Sequence, residues 1–429
     1  MKYCNNDNNY HHINNILEIL QYILLYIYKF YNFLLYGDFQ MKQITIDIPY
    51  AEIKSREKRW SMAMNFQQPD RVPVLHYLGS RFWLPKIGFE KRFKEYLNNP
   101  QTMFEAQLLG SKWILENIKS DFHKIVCYPD FMWAEDVNSY GANISYSDND
   151  SPWVSRPHLL AKKSALEDLK KIDYINFGLH GKMIEFYNQM KIIAEEYEII
   201  FSDGKILKGT DCLYMGGGGI IGPMVLAGDL RGLENLSLDF YDDPPFVKEL
   251  LSLITEKSIE WLDHIIKISG GRAAFCSNFY NNTFFIGDDG TAQMSLPLIE
   301  KYALEPLKKL SDHLHLKGFE VMAHNCGLAN HILKFWAEDI KIDTYLGFSY
   351  LTDKKLLNEI MGGKIKLIGG IDTVKLKEGT IEDVKEDVRK NILIFKNTPG
   401  YIMMDGHNVA PGTPVENLNA VIETVEENN

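Results

Sequence analysis

Phe319-Glu320-Val321-Met322-Ala323-His324-Asn325-Cys326-Gly327 is a short apolar run that ends on an imidazole and a thiol two positions apart. In a strand, alternate side chains share a face, so this spacing aims His324 and Cys326 the same way. An imidazole and a thiolate are two of the three protein ligands that a catalytic zinc site needs, with a fourth position left open. A core cysteine beside a capping histidine is the competing reading, and spacing alone leaves both open.

The same arrangement recurs along the chain and decides the architecture. Apolar runs fall at residues 72–78, 125–128, part of 206–215, 273–279, 321–324, 344–348, 366–369 and 401–404. Between them lie stretches with apolar residues at three- and four-residue spacing, such as 245–267, 296–316 and 381–395, the helical period. Strand–helix alternation predicts a parallel α/β architecture, and these runs suit a single (β/α)8 TIM barrel. Reactive residues follow the runs directly: His76, Asp130, Cys276, His324 with Cys326, Asp372 and His407. Barrel enzymes assemble their sites at the carboxyl ends of the strands, whereas a doubly wound sheet gathers them at its switch point. Gly216-Gly217-Gly218-Gly219 produces a G-x-G-x-x-G match at Gly217, Gly219 and Gly222, with Asp239 at about the distance of a ribose contact. Glycine runs make such matches cheaply, and the expectation is a loose loop entering a helix at Pro223.

The chain has 429 residues, 45% hydrophobic and 24% charged, the composition of a globular protein. A net charge of −11 and the lack of a basic stripe exclude nucleic acid as a partner. Five scattered cysteines without a C-x-x-C point to free or metal-bound thiols and a cytoplasmic setting. Residues 1–40 are a different material, rich in Asn, Tyr and Ile and without Ala, Pro, Arg, Val, Ser or Thr. Residues 16–36 are long enough to span a bilayer, but Glu18, Gln21, Lys29 and Asn32 interrupt them. A membrane anchor is one reading of this N-terminal extension; translated upstream sequence, with Met41 as the start, is preferred. The barrel is expected over 41–429.

Four segments carry a resemblance: MAMNFQQPDRVPV at 62–74, GPMVLAGDLRGLEN at 222–235, GDDGTAQMSLP at 287–297 and GHNVAPGTPVEN at 406–417. In the same order, they resemble segments of the uroporphyrinogen decarboxylase superfamily, and the resemblance implies a single TIM barrel. Its decarboxylases hold their polycarboxylate substrate with an arginine-rich loop after the first strand, where this chain offers only Arg81 in LHYLGSRF at 75–82. Asp130 falls where their essential aspartate lies, and His407 on their closing Gly-His. The other branch, cobamide-dependent methyltransferases, binds zinc through His-x-Cys and a cysteine in the closing motif. His324 and Cys326 match the first two ligands, and His407 stands where the cysteine is expected.

The resemblance thus implies a zinc-assisted methyltransferase working between a corrinoid (cobalamin) carried by a partner protein and a small acceptor, a thiol or tetrahydrofolate. Zinc falls to His324, Cys326 and His407, catalytic roles to Asp130 and His407, and substrate contacts to His76, Arg81, Asp288 and Asp372. A decarboxylase-like lyase acting through Asp130 and His407 is the alternative, and a non-catalytic corrinoid-binding barrel a third. A homo-oligomer is compatible with each. The ordinary readings are a satisfied histidine at His76, helix capping at Asp288, a turn or N-cap at Asp372 and structural roles for Cys276, His313, His315 and His331.

Overall fold

The computed structural model describes residues 41–276, 279–280 and 282–428, with side chains 275–281 left aside; the 1–40 extension and the Cys276 thiol lie outside the described residues. Contacts divide the chain into Met1–Gln43 and Ile44–Asn429, and the elements below belong to the second unit.

Its centre is a parallel sheet of β1 (Gly219–Ile221), β2 (Thr283–Gly287), β3 (Glu320–His324), β4 (Thr344–Phe348), β5 (Lys366–Ile371) and β6 (Tyr401–Asp405), paired in chain order. Every residue of β4, β5 and β6 is buried. That is the signature of a sheet covered on both faces, and it accounts for near-continuous apolar runs in place of alternation. Parallel bridges continue the pattern outside the named strands: Val74 to Met403 of β6, Cys127 to Leu213, and Met215 to Ala273.

Parallel neighbours require crossovers, and amphipathic helices supply them. The principal ones are α1 (Tyr50–Met64), α2 (Pro223–Arg231), α3 (Pro244–Ser269), α4 (Leu304–Leu316), α5 (Ile381–Phe395) and α6 (Val415–Glu427). Local chemistry sets their ends. The Asp243 carboxylate caps α3 by accepting from Phe246 N–H at 3.3 Å, and Gly270 stops it in the left-handed conformation. Thr380 and Asp383 form a reciprocal capping box at the start of α5. Among the described residues, no helix is long and apolar enough to cross a membrane.

The expected strands at 321–324, 344–348, 366–369 and 401–404 coincide with β3 to β6. Two earlier runs hold only in part. Of the run at 206–215, Ile206–Lys208 pairs antiparallel with Tyr197–Phe201 while Leu213 and Met215 make the parallel bridges to Cys127 and Ala273; of the run at 273–279, Ala274–Cys276 pairs antiparallel with Phe279–Tyr280. The strand that occupies the sheet there is β2, whose Thr-Phe-Phe-Ile-Gly run was passed over in favour of its neighbour. Gly216 to Gly218 lie outside any strand, as expected of a loop, whereas Gly219 opens β1; the helix begins at Pro223 as expected. Short apolar runs placed side by side cannot be ranked by periodicity.

A buried carboxylate ties the sheet's edge to α1. Asp121, 1% exposed, accepts from Arg71 Nη1 at 2.6 Å and Nη2 at 3.0 Å, from Arg59 Nη1 at 2.6 Å and from Val74 N–H at 2.8 Å. Removing it leaves the buried Arg71 guanidinium with only the exposed Glu426 carboxylate and the Val72 carbonyl. Asp121→Ala is therefore expected to destabilise the fold by about 3–5 kcal/mol, measured as a lowered midpoint in urea unfolding.

Candidate metal centre and its cavity

The end of β3 positions His324 through an irregularity in its neighbour. The β4–β5 register shifts between Leu346 and Phe348, and Gly347 at the bulge takes φ +65°. A Cβ there would lie 2.7 Å from His324 Nδ1, so both the backbone conformation and the space call for glycine. The bulge leaves the Leu346 carbonyl 2.9 Å from His324 Nδ1. A carbonyl can only accept, so Nδ1 carries the proton and Nε2 of the neutral ring keeps its lone pair. This is how an outer hydrogen bond prepares a metal-binding histidine.

Cys326 is held by the loop that follows. Its N–H donates to Asp289 Oδ1 at 2.7 Å. The Asn325 amide donates to the Asp288 carbonyl at 3.0 Å and to Thr291 Oγ1 at 3.1 Å. Burial, followed by the Asp289 charge, pushes the Cys326 thiol up to about 12. His407 reaches the same place from the loop after β6. That loop is tied to residues 77–79 by Val409 N–H donating to the Tyr77 carbonyl at 3.0 Å and Gly79 N–H donating to Asn408 Oδ1 at 3.2 Å. His407 is exposed by surface area; desolvation by its surroundings, then the His324 ring, holds its imidazole below the ordinary range. The ligand atoms of His324, Cys326 and His407 all lie within 4.8 Å of one another.

His324 and His407 also line a cavity of about 530 Å3 that reaches Asp130, Trp133, Glu135 and Phe285. Asp130 Oδ2 accepts from the Tyr96 hydroxyl at 2.8 Å and Oδ1 from Met132 N–H at 3.0 Å, and burial raises its carboxyl above the usual range. Arg81 lines the cavity too, half exposed and paired with Asp150 at 3.0 Å.

The other sequence-predicted residues sit elsewhere. His76 is buried, with Nδ1 3.1 Å from Asp405 Oδ1 and Nε2 3.2 Å from the Leu418 carbonyl, and is absent from the cavity lining. Asp372 caps the helix Thr373–Glu378, accepting from Val374 N–H at 2.9 Å. Asp288 is fully buried and accepts from Met224 N–H at 3.1 Å, in the first turn of α2 and not in the helix that follows it. Burial pushes its carboxyl up to about 7. His313, His315 and His331 bind Asp263, Asp343 and the Met294 carbonyl. Sequence reasoning passed over Gly347, Tyr96 and Glu135. A glycine inside an apolar strand run signals a bulge or a close approach, so Gly347 was within reach, whereas nothing local marks Tyr96 or Glu135.

The model of the family described as "Uroporphyrinogen decarboxylase (URO-D)" matches residues 55–428. The chain belongs to the URO-D family. Curated URO-D relatives include the uroporphyrinogen decarboxylases of Rickettsia bellii, 23% identical over 68% of this chain and 76% of its own length, and of Campylobacter jejuni, 22% identical over 67% and 76%. That of Danio rerio is 27% identical over 43% of this chain and 48% of its own. Among solved structures, a methyltransferase from Methanosarcina mazei superposes with a TM-score of 0.63 at 18% identity, covering 87% of this chain and 98% of that one. At that identity the likeness speaks for the fold.

The bulge generates a direct test. Gly347→Ala is expected to cost about 1–3 kcal/mol of stability and to push the His324 ring off the Leu346 carbonyl. The ring's Nδ1–H resonance, slowly exchanging in the parent, should then disappear from the proton NMR spectrum.

Proposed function

We propose that this protein is a methyltransferase that moves a methyl group between a corrinoid-carrying protein and a small acceptor, a thiol or tetrahydrofolate, with zinc held by His324, Cys326 and His407. The convergence of these three donors within 4.8 Å carries the reading. One sulfur and two nitrogens form a donor set that zinc accepts, and atoms about 2.0–2.3 Å from a shared ion lie within that span of one another. The corrinoid partner rests on the resemblance of the His-x-Cys motif to cobamide-dependent methyltransferases. The bridges at Val74, Cys127 and Met215 support closure of the sheet into an eight-stranded barrel over the family-matched residues.

Each side chain has a defined task. His324 presents Nε2 because Leu346 fixes its tautomer, and His407 stays neutral and able to donate its lone pair. Cys326 gives up its proton on metal binding, as any thiol ligand must. Zinc at this position would supply the Lewis acidity that turns an acceptor thiol into a thiolate at neutral pH. The loop carrying His407 and Asn408 lines one side of the cavity, and Trp133 and Phe285 give it an aromatic wall.

A decarboxylase-like reading is favoured by the buried Asp130 and by the relatives' names. The cavity's charge speaks against it. A polycarboxylate macrocycle needs several cations, best supplied by Arg. Arg81 is the single Lys or Arg among the described lining residues, and Asp130, Glu135 and Asp289 share the wall.

Elemental analysis tests the proposal. About one zinc per chain is expected in the parent, and none in a folded Cys326→Ala variant, which also loses methyl transfer. Zinc-free protein after purification with zinc supplied would overturn it. Because the free thiol is protonated up to about pH 12, zinc uptake should release one proton. Apparent affinity should therefore rise about tenfold per pH unit from about pH 7 to 9, read by competition with a chromogenic chelator; a flat profile would remove the Cys326 thiolate from the ligand set.

A further inference from the structure

The segment after Pro129 turns through two successive non-glycine residues in the left-handed region, Met132 at φ +56° and Trp133 at φ +72°. Each costs on the order of 1–2 kcal/mol, and strain of this kind gathers at functional sites. The turn brings Asp130, Trp133 and Glu135 to the cavity wall. Asp130 is satisfied by Tyr96 and Met132. Glu135 is not: its Oε2 is fully covered and has no donor among the described residues.

A buried carboxyl oxygen without a donor is unfavourable by about 1–3 kcal/mol. Burial, and next the charge of Asp136, pushes the Glu135 carboxyl up to about 8. Glu135 lines the cavity through its other atoms, and a positive charge placed there would stabilise the ionised carboxyl. The wall suits such a group in a second way. The Trp133 ring, with its centroid 5.3 Å from that of Phe285, lines the same space, and aromatic faces attract cations. The single Lys or Arg among the described lining residues, Arg81, is already paired with Asp150.

We propose that Glu135 and the Trp133 face form a cation subsite, which binds the ammonium end of the small acceptor whose thiol is activated at the metal centre. This deepens the function proposed above and rests on it. Asp130, held by Tyr96, adds negative potential beside the subsite. Acceptors that end in an anion oppose ionisation of the Glu135 carboxyl and gain no partner from it, so they are selected against.

Calorimetric titration of the zinc-loaded protein and its Glu135→Gln variant tests the subsite. The ligands are aminoalkanethiols of graded length, the matching hydroxyalkanethiols and sulfonate-ended thiols. The best aminoalkanethiol is expected to bind about tenfold more tightly than its hydroxy counterpart, with the sulfonate the weakest. Glu135→Gln should erase that preference and leave hydroxyalkanethiol affinity in place, which also shows that the variant is folded. Equal binding of amino and hydroxy ligands, or a preference that survives the substitution, would overturn the proposal. Alkylamines without a thiol separate it from the reading on which it rests. If they bind in a Glu135-dependent way while no thiol binds, the subsite stands and thiol activation falls. If nothing binds, both fall.

Discussion

The hydrogen bond from His324 Nδ1 to the Leu346 carbonyl is the constraint on which the metal centre depends. It exists because β4 bulges at Gly347, and the bulge is tolerated because that residue is glycine. A regular strand would aim the Leu346 carbonyl into the ladder and place a Cβ where the imidazole lies. The irregular backbone thus chooses the tautomer, and the tautomer leaves Nε2 free to coordinate. Cys326 and His407 then need only be brought close, and short loops tied by Asp289 and Tyr77 do this.

What could be read from the sequence follows from where the information lies. The strands at 344–348 and 401–404 and the helix at 381–395 were legible because each is one uninterrupted pattern bounded by turn or capping residues. β2 was not, since two apolar runs adjoin and only the sheet chooses between them. The glycine run looked like a loop because glycine carries no apolar signal, yet its last residue opens β1. The His324, Cys326 and His407 trio was legible from strand-end position together with the family motif. His76 and Asp372 share that position, but their atoms are taken up by Asp405, by Leu418 and by a helix cap. A strand-end position narrows the candidates, and burial and hydrogen bonding select among them.

The cavity's electrostatics divide the relatives' chemistry from the chemistry available here. A family frame can persist while the charge it encloses is replaced, because barrel-type scaffolds carry their specificity on loops and strand tips. Among the described lining residues one arginine stands at the rim, and Asp130, Glu135 and Asp289 share the wall. Two of these acids, Asp130 and Glu135, come from a single strained turn, so one local conformation sets much of the site's preference.

The loop that carries His407 is fastened to the segment at residues 77–79, with Gly79 and Asn408 329 positions apart. On a ribosome, His324 and Cys326 emerge well before their third partner. That partner can dock only once β6 has found the segment around Val74 and Tyr77. Contacts of such long sequence separation form late and slowly. The nascent chain therefore passes through an interval in which a two-ligand thiol–imidazole pair is exposed without its final member. Completion of the His324, Cys326 and His407 group belongs to the late, long-range stage of folding.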